Sequence, residues 1–212
     1  MKKYLAFTVT LLLTVGNTVF AQSKPTNDWI NLFDGKTLTG WKAAENPGTF
    51  NVEEEAIVVF GPRAHLFYDG PVNNHNFKNF EWKAQVKTMP GANSGMFIHT
   101  VYQETGWPKK GYEIQINQSH DDWRKTGSVY ASQDVKETFV KDEEWYTERI
   151  IVKGNQVTVL INDKVINVYT EPDSVSRGTG MKRLSNGTIA LQGHDPKSKV
   201  YFKDIMVRIL PD

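Results

Sequence analysis

Apolar and polar residues alternate with a period of two along most of the chain. Phe80 to Val86 reads FEWKAQV, with Phe80, Trp82, Ala84 and Val86 on one side and Glu81, Lys83 and Gln85 on the other. Val157 to Ile161 reads VTVLI, followed by a turn at Asn162-Asp163-Lys164 and a second run from Val165 to Tyr169. Val200 to Leu210 is again β-branched or aromatic at alternate positions. Successive residues of a strand face opposite ways, so such runs, separated by Gly, Asn, Asp and Pro turns, predict an all-β sandwich or barrel. Two antiparallel sheets of jelly-roll type, one curved to offer a concave face, fit the pattern. No amphipathic helix of ordinary length is predicted after the N-terminal segment. Short helical turns are expected near Arg63–Phe67 and Gln133–Glu137.

The N-terminal segment breaks the alternation. Lys2 and Lys3 precede a mostly apolar run from Tyr4 to Val15, and Val19-Phe20-Ala21 supplies small residues around a cleavage point. This is the layout of a secretory signal peptide, and the run is shorter than the roughly 20 residues a membrane span needs. Residues 1–21 are therefore expected to be removed, 22–28 to form a tail, and 29–212 to form one domain. The product is expected to be exported, periplasmic or secreted, with no membrane partner after cleavage. Composition narrows the partners further. With 25 basic and 24 acidic residues the net charge is +1, and loss of the two lysines makes it −1 (23 minus 24). Charge this balanced argues against nucleic acid, which demands a basic face. The chain has no cysteine, which excludes disulfides, thiolate chemistry and a thiolate-bound zinc.

Candidate chemistry lies on the strand faces. In Gly111-Tyr112-Glu113-Ile114-Gln115-Ile116-Asn117, the apolar side chains point into one layer and Glu113, Gln115 and Asn117 into the other. Three polar groups in a row form either a solvated outer face or the floor of a polar groove. His99 in MFIH, and Gln192 and His194 in ALQGH, favour the groove. Gly95 and Gly193 interrupt these strands, where interior glycines mark bulges or a close-approaching ligand. The intervening segments, Tyr102–Lys110 and Gln118–Lys125, carry Trp107, Trp123, lysines, His120 and aspartates that suit the walls of a sugar site.

Five ordered pieces carry a resemblance: LFDGKTLTGWK from Leu32, NSGMFIH from Asn93, GYEIQIN, TGSVY from Thr126 and GTIALQGHD from Gly187. Together, over about Trp29 to Leu210, the chain resembles the 3-keto-disaccharide hydrolase family. The resemblance implies a concanavalin A-like jelly roll acting on glycosides oxidised at C3 of the sugar. A ketone at C3 acidifies the hydrogen on C2, so a base can form an enolate whose collapse expels the C1 substituent, after which water adds across the alkene. Such a site needs a base near C2, an electrophile for the C3 oxygen and a proton donor for the leaving group. Retaining glycosidases instead pair two carboxylates, and here Gln115 and Asn117 stand where the second would be.

Glu113 and His194 are the leading catalytic candidates, and His99 is the third, as acid, base or metal ligand. The plainer alternatives are a turn-bracing glutamate, a loop histidine bonded to backbone, and a core or rim histidine. Gln115, Asn117, Gln192, Tyr130 and Lys125 are the expected hydrogen-bonding groups for substrate, with Trp107 and Trp123 as stacking platforms or edge caps. Asn93 and Ser94 are expected to shape the turn into their strand. A divalent cation would polarise the keto oxygen, with His99 and Glu113, or His194 and Asp195, as candidate ligands. No tight spacing such as HxH or HExxH exists, so a metal is a candidate rather than a prediction. Arg63, His65 and His75, and the cluster His120-Asp121-Asp122, read as solvated loop residues. Many relatives that this chain resembles carry a glutamate where it has Gln85, which would bear on activity if that position is used. A non-catalytic carbohydrate-binding module is the alternative to an enzyme.

Overall fold

The computed structural model describes residues 28–173 and 183–212; the expected signal peptide, residues 1–21, lies outside them. The strands are β1 (Ile30–Asn31), β2 (Trp41–Ala44), β3 (Phe50–Glu53), β4 (Ala56–Phe60), β5 (Ala64–Tyr68), β6 (Phe80–Thr88), β7 (Asn93–Thr100), β8 (Tyr112–Asn117), β9 (Tyr146–Lys153), β10 (Gln156–Ile161), β11 (Lys164–Thr170), β12 (Thr188–Gly193) and β13 (Lys199–Ile209). They form two antiparallel sheets. The larger runs β11-β10-β9-β6-β13-β4-β3, with β1 added beside β13, and the smaller runs β2-β5-β12-β7-β8. This is the two-sheet jelly-roll sandwich that the alternation predicts.

The inward positions of both sheets make one core. Phe80, Trp82, Ala84 and Val86 of β6 meet Tyr112, Ile114 and Ile116 of β8, with Met96 and Ile98 of β7 and Leu191 of β12 in the same cluster. Burying a large apolar side chain contributes about 1.5–3 kcal/mol, so this face fixes the register of each strand. At the β10–β11 hairpin, Asn162 and Asp163 both take positive φ (48° and 64°), the backbone of a turn that matches strand twist. Lys164, assigned to the turn by sequence, already belongs to β11.

Neither expected helical turn forms. Ala64–Tyr68 is a strand buried on both faces, because the outer face of the smaller sheet is itself covered, so alternation disappears from AHLFY. Residues 133–137 are irregular, held by Gln133 and Val135 backbone bonds to Val129 and Lys125. The single-turn 3-10 segments fall instead at Pro47–Thr49 and Val72–His75.

Gln85 lies on the outer face of the larger sheet and donates to Thr147 Oγ1 at 2.7 Å. That is the far side of the sandwich from the groove described next, so a glutamine at this position leaves the groove intact.

Candidate active site

The outward face of the smaller sheet carries the polar row. β8 is the edge strand, β7 lies beside it and β12 beyond, so Glu113 on β8 and Gln192 on β12 are two strands, or about 10 Å of backbone, apart. Their side chains nevertheless meet: Gln192 Nε2 donates to Glu113 Oε1 at 2.8 Å. Gly95 on the intervening strand makes this reach open. A Cβ there would stand 2.7 Å from Glu113 Oε1 and 2.8 Å from its Cγ. Gln115, with its amide nitrogen turned toward the carboxylate, donates to Glu113 Oε1 at 3.0 Å and to the Ser94 carbonyl at 3.2 Å. Two amides thus hold one oxygen of a single carboxylate.

The sequence reading gave Gly95 and Gly193 to bulges or an approaching ligand. The structure corrects both: Gly95 accommodates the protein's own Glu113, and a Cβ on Gly193 would meet Thr49 Cγ2 at 2.6 Å. The obstacle at Gly95 is the mobile end of a side chain, so Gly95→Ala should fold normally while displacing the carboxylate. Ångström-scale misplacement of a reacting group costs up to about 10²-fold. Turnover is expected to fall on the order of tenfold, with a thermal midpoint within a few degrees of the parent, read by steady-state kinetics and calorimetry.

His194 follows β12 directly. Its Nδ1 donates to Asp195 Oδ2 at 2.7 Å, and Asp195 also accepts from Lys197 N at 2.8 Å and Ser198 Oγ at 2.8 Å. Burial works to raise the Asp195 pKa, but these bonds outweigh it and hold the group down at about 2. An ionised, anchored carboxylate fixes the imidazole and leaves Nε2 as the nitrogen free to exchange a proton.

Trp107 covers this end of the site, its ring 5.4 Å from that of His194 and 5.6 Å from that of His65. Its loop is pinned by Glu45, whose Oε1 accepts from Gly106 N at 2.8 Å and from Arg63 at 2.7 Å. The Arg63 bond, then the Gly106 bond, lower the Glu45 pKa to about 2.

Between these groups is a hollow of about 220 Å³, lined by Glu113, Gln115, Gln192, His194, Tyr130 and Trp107, together with Asn93, Phe97, Pro108, Gly111 and Asp122. This is smaller than the ~300–1,000 Å³ usual for drug-sized ligands and suits one pyranose ring. Six sequence-chosen residues therefore converge. Tyr130 donates to Asp122 Oδ2 at 3.5 Å, and burial followed by the Asp122 charge raises its phenol pKa, keeping it a donor at neutral pH.

Four chosen residues do not join them. His99 sits on the strand that should carry it toward Glu113, but its φ of 52° swings the ring out of alternation and against Phe80, 5.7 Å away. There Nε2 donates to Lys78 O at 2.8 Å and Nδ1 accepts from Ser185 N at 3.0 Å. Burial pushes its pKa down to about 4, so it is a neutral histidine with both nitrogens engaged and cannot share an ion with Glu113. Asn117 keeps the face of Glu113 but ties down its own loop, donating to Asp122 O and Arg124 O and accepting from His120 N. Lys125 caps the same loop through the carbonyls of His120 and Asp122. Trp123 is outside the hollow, flanked by Arg124 and Lys136.

Three residues read as structural or solvated belong here instead. Asn93 and Asp122 line the hollow. His65 is 1% exposed, paired across β5–β12 with Gln192, and burial lowers its pKa to about 4. His65 Nε2 and Gln192 Oε1 are both buried without a protein partner, which makes this cross-strand pair a polar spot that a water would satisfy. The sequence signal for His65 was its place in AHLFY, an apolar run that a solvated loop would not have. Among the described residues, His120, His194 and Asp195 bring ligand atoms within 4.8 Å of one another and are the residues that could hold a divalent ion.

Comparison with known proteins adds to this geometry. Residues 28–208 match the model of the 3-keto-alpha-glucoside-1,2-lyase-like domain. A Bacteroides thetaiotaomicron protein named 3-keto-disaccharide hydrolase is 27% identical over 169 residues, covering 66% of this chain; the chain spans 58% of that relative's length. A crystal structure from Parabacteroides distasonis, provisionally described as a glycosyl hydrolase, superposes with a TM-score of 0.72 at 25% identity, covering 86% of this chain and 94% of the other. The carbohydrate-binding module CBM66 of Bacillus subtilis shares the fold alone, with a TM-score of 0.58 at 9% identity over 80% of this chain and 95% of the module.

Proposed function

The chain belongs to the 3-keto-alpha-glucoside-1,2-lyase-like family, and from that premise we propose that it is an exported enzyme cleaving the glycosidic bond of 3-keto-glycosides or 3-keto-disaccharides. The observation that carries the reading is the opening of one amide-held carboxylate, Glu113, and one carboxylate-held imidazole, His194, into the same ring-sized hollow.

In this reading Glu113 takes the proton from C2. The C–H electrons pass into an enolate across C2 and C3, whose oxygen accepts a hydrogen bond from the Tyr130 phenol as it turns from its long bond to Asp122 Oδ2. Collapse of the enolate forms the C1–C2 double bond and breaks the C1–O bond, and His194 gives the departing oxygen its proton through Nε2. Water then adds hydroxide at C1 and a proton at C2, the two groups acting in reverse, for net hydrolysis. Positioned proton transfer contributes about 10²–10⁴-fold, and donors at a developing oxyanion a comparable factor. Gln115 and Gln192 orient the base, and Trp107 shields the hollow from water. A divalent ion, where bound, would be held by His120, His194 and Asp195 and would supply polarisation of an oxygen of the substrate in place of the proton His194 gives.

The mature protein mixed with a 3-keto-glucoside and with its unoxidised parent should release the aglycone from the keto compound only. In deuterated water the released sugar should carry deuterium at C2, the mark of proton abstraction there. Binding of either compound without turnover would make the chain a carbohydrate-binding module, and equal cleavage of the parent would remove the keto requirement.

A further inference from the structure

The face of the larger sheet that points away from the groove carries a second chemistry. Its outward positions place Phe60 of β4, Lys199, Tyr201 and Lys203 of β13, Lys87 of β6 and Trp145 at the entry to β9 side by side. Lys199 stands opposite Phe60 and Tyr201 opposite Lys87 in the ladders. Rings and ammonium groups interleave: Lys199 lies 5.7 Å from the Phe60 ring and 5.1 Å from the Tyr201 ring. Lys87 lies 4.5 Å from Tyr201 and 5.0 Å from Trp145, and Lys203 is 4.4 Å from Trp145. Phe60 is 49% exposed and Trp145 36%.

Among the described residues the cations here make no ion pair, and the carboxylate that acts on Lys199, Glu53, does so without reaching it. Farther along the same face Arg149 and Arg208 share Glu81. By contrast, among the described residues no carboxylate lies within ion-pairing distance of Lys87, Lys199 or Lys203. A chain whose charges nearly cancel overall thus gathers unpaired positive charge on one flat patch. The row crosses β4, β13, β6 and β9, a span of about 15 Å at the usual strand spacing. It is a strip rather than a hollow, which suits an extended chain and not a small molecule.

We propose that this strip docks an anionic polysaccharide, with sugar rings against the exposed aromatics and carboxylate groups on the lysines. Ring stacking and ammonium pairing at alternate positions match a polymer that repeats a pyranose body and an acidic group; a lipid surface also takes cations and interfacial rings but has no repeat to match their alternation. The strip lies on the sheet opposite the groove, so docking would leave the hollow open. The proposal goes beyond the reaction above and does not rest on it.

The test is affinity electrophoresis of the full mature chain in gels cast with polygalacturonate or with neutral dextran, and sedimentation with phosphatidylglycerol vesicles. Mobility should fall with polygalacturonate and not with dextran, and the shift should weaken as salt is raised. The double reversal Lys87→Glu/Lys203→Glu should weaken retention at least tenfold, and Trp145→Ala severalfold. Circular dichroism checks the fold, with Lys87→Gln/Lys203→Gln as the milder pair. Retention absent in polygalacturonate, equal in dextran or unchanged in the variants would overturn the proposal. So would vesicle capture exceeding retention by the polysaccharide.

Discussion

Replacing Glu113 with glutamine is expected to lower turnover of a 3-keto-glycoside at least ~10²-fold while leaving the protein folded. The substitution is isosteric, and the amide oxygen can still accept from Gln192 Nε2, which now lies 2.8 Å from Glu113 Oε1. The carboxylate's position is therefore retained and its basicity removed. An amide cannot take a proton from carbon, so the loss should fall on kcat, with KM changed little because the hollow keeps its shape. The comparison that isolates the base is Gly95→Ala, which keeps the carboxylate but moves it. If both variants turned over near the parent rate, Glu113 would be no base and deprotonation at C2 would need another residue. The measurement is kcat and KM for both proteins beside their thermal midpoints.

The polar row of β8 was legible because YEIQIN alternates strictly and its apolar half is needed by the core; a one-residue register slip would bury Glu113 among Met96 and Ile98. Gln192 and His194 followed for the same reason. What sequence could not supply was the identity of each strand's neighbours. Alternation placed Gln85 and Glu113 on polar faces of similar strands, yet the two belong to different sheets and point to opposite sides of the sandwich.

Errors of a second kind came from single backbone angles and crowded loops. By counting residues, His99 should share the face of Phe97 and Glu113, and only its left-handed backbone turns it toward Phe80. Asn117 and Lys125 have the chemistry to bind a sugar but spend it on the carbonyls of residues 120–124. A polar side chain beside a tightly turned loop is claimed first by that loop's carbonyls and N–H groups that no strand pairs. His65 erred the other way. In a strand covered on both sides no alternation remains to reveal which face it uses.

Glu148 should give the chain an unusual pH dependence of stability. It occupies an inward position of β9, in register with Ala84 and Ile161, and neither carboxylate oxygen has a partner in hydrogen-bonding geometry. Burial raises its pKa well above the ordinary 4.5, and the nearby Tyr146 phenol offsets only part of that, so the folded chain holds it as a neutral acid. Unfolding frees it to ionise. Its contribution is therefore complete below about pH 4.5 and is lost as pH rises toward the folded pKa, at up to about 1.4 kcal/mol per pH unit. His65 and His99 act oppositely over part of that window. Both are lowered to about 4, so the stability tied to their neutral forms is complete above about pH 6.5 and is lost as pH falls from there. The parent protein alone would blur these trends, whereas the difference between parent and Glu148→Gln cancels the histidines and every other shared group. That difference should shift in favour of the glutamine variant as pH rises above about 4.5, at up to about 1.4 kcal/mol per pH unit. Urea titrations of both proteins at matched pH values measure it. A difference flat with pH would mean that Glu148 is ionised in the fold, with a counter-charge or water supporting it among the core side chains.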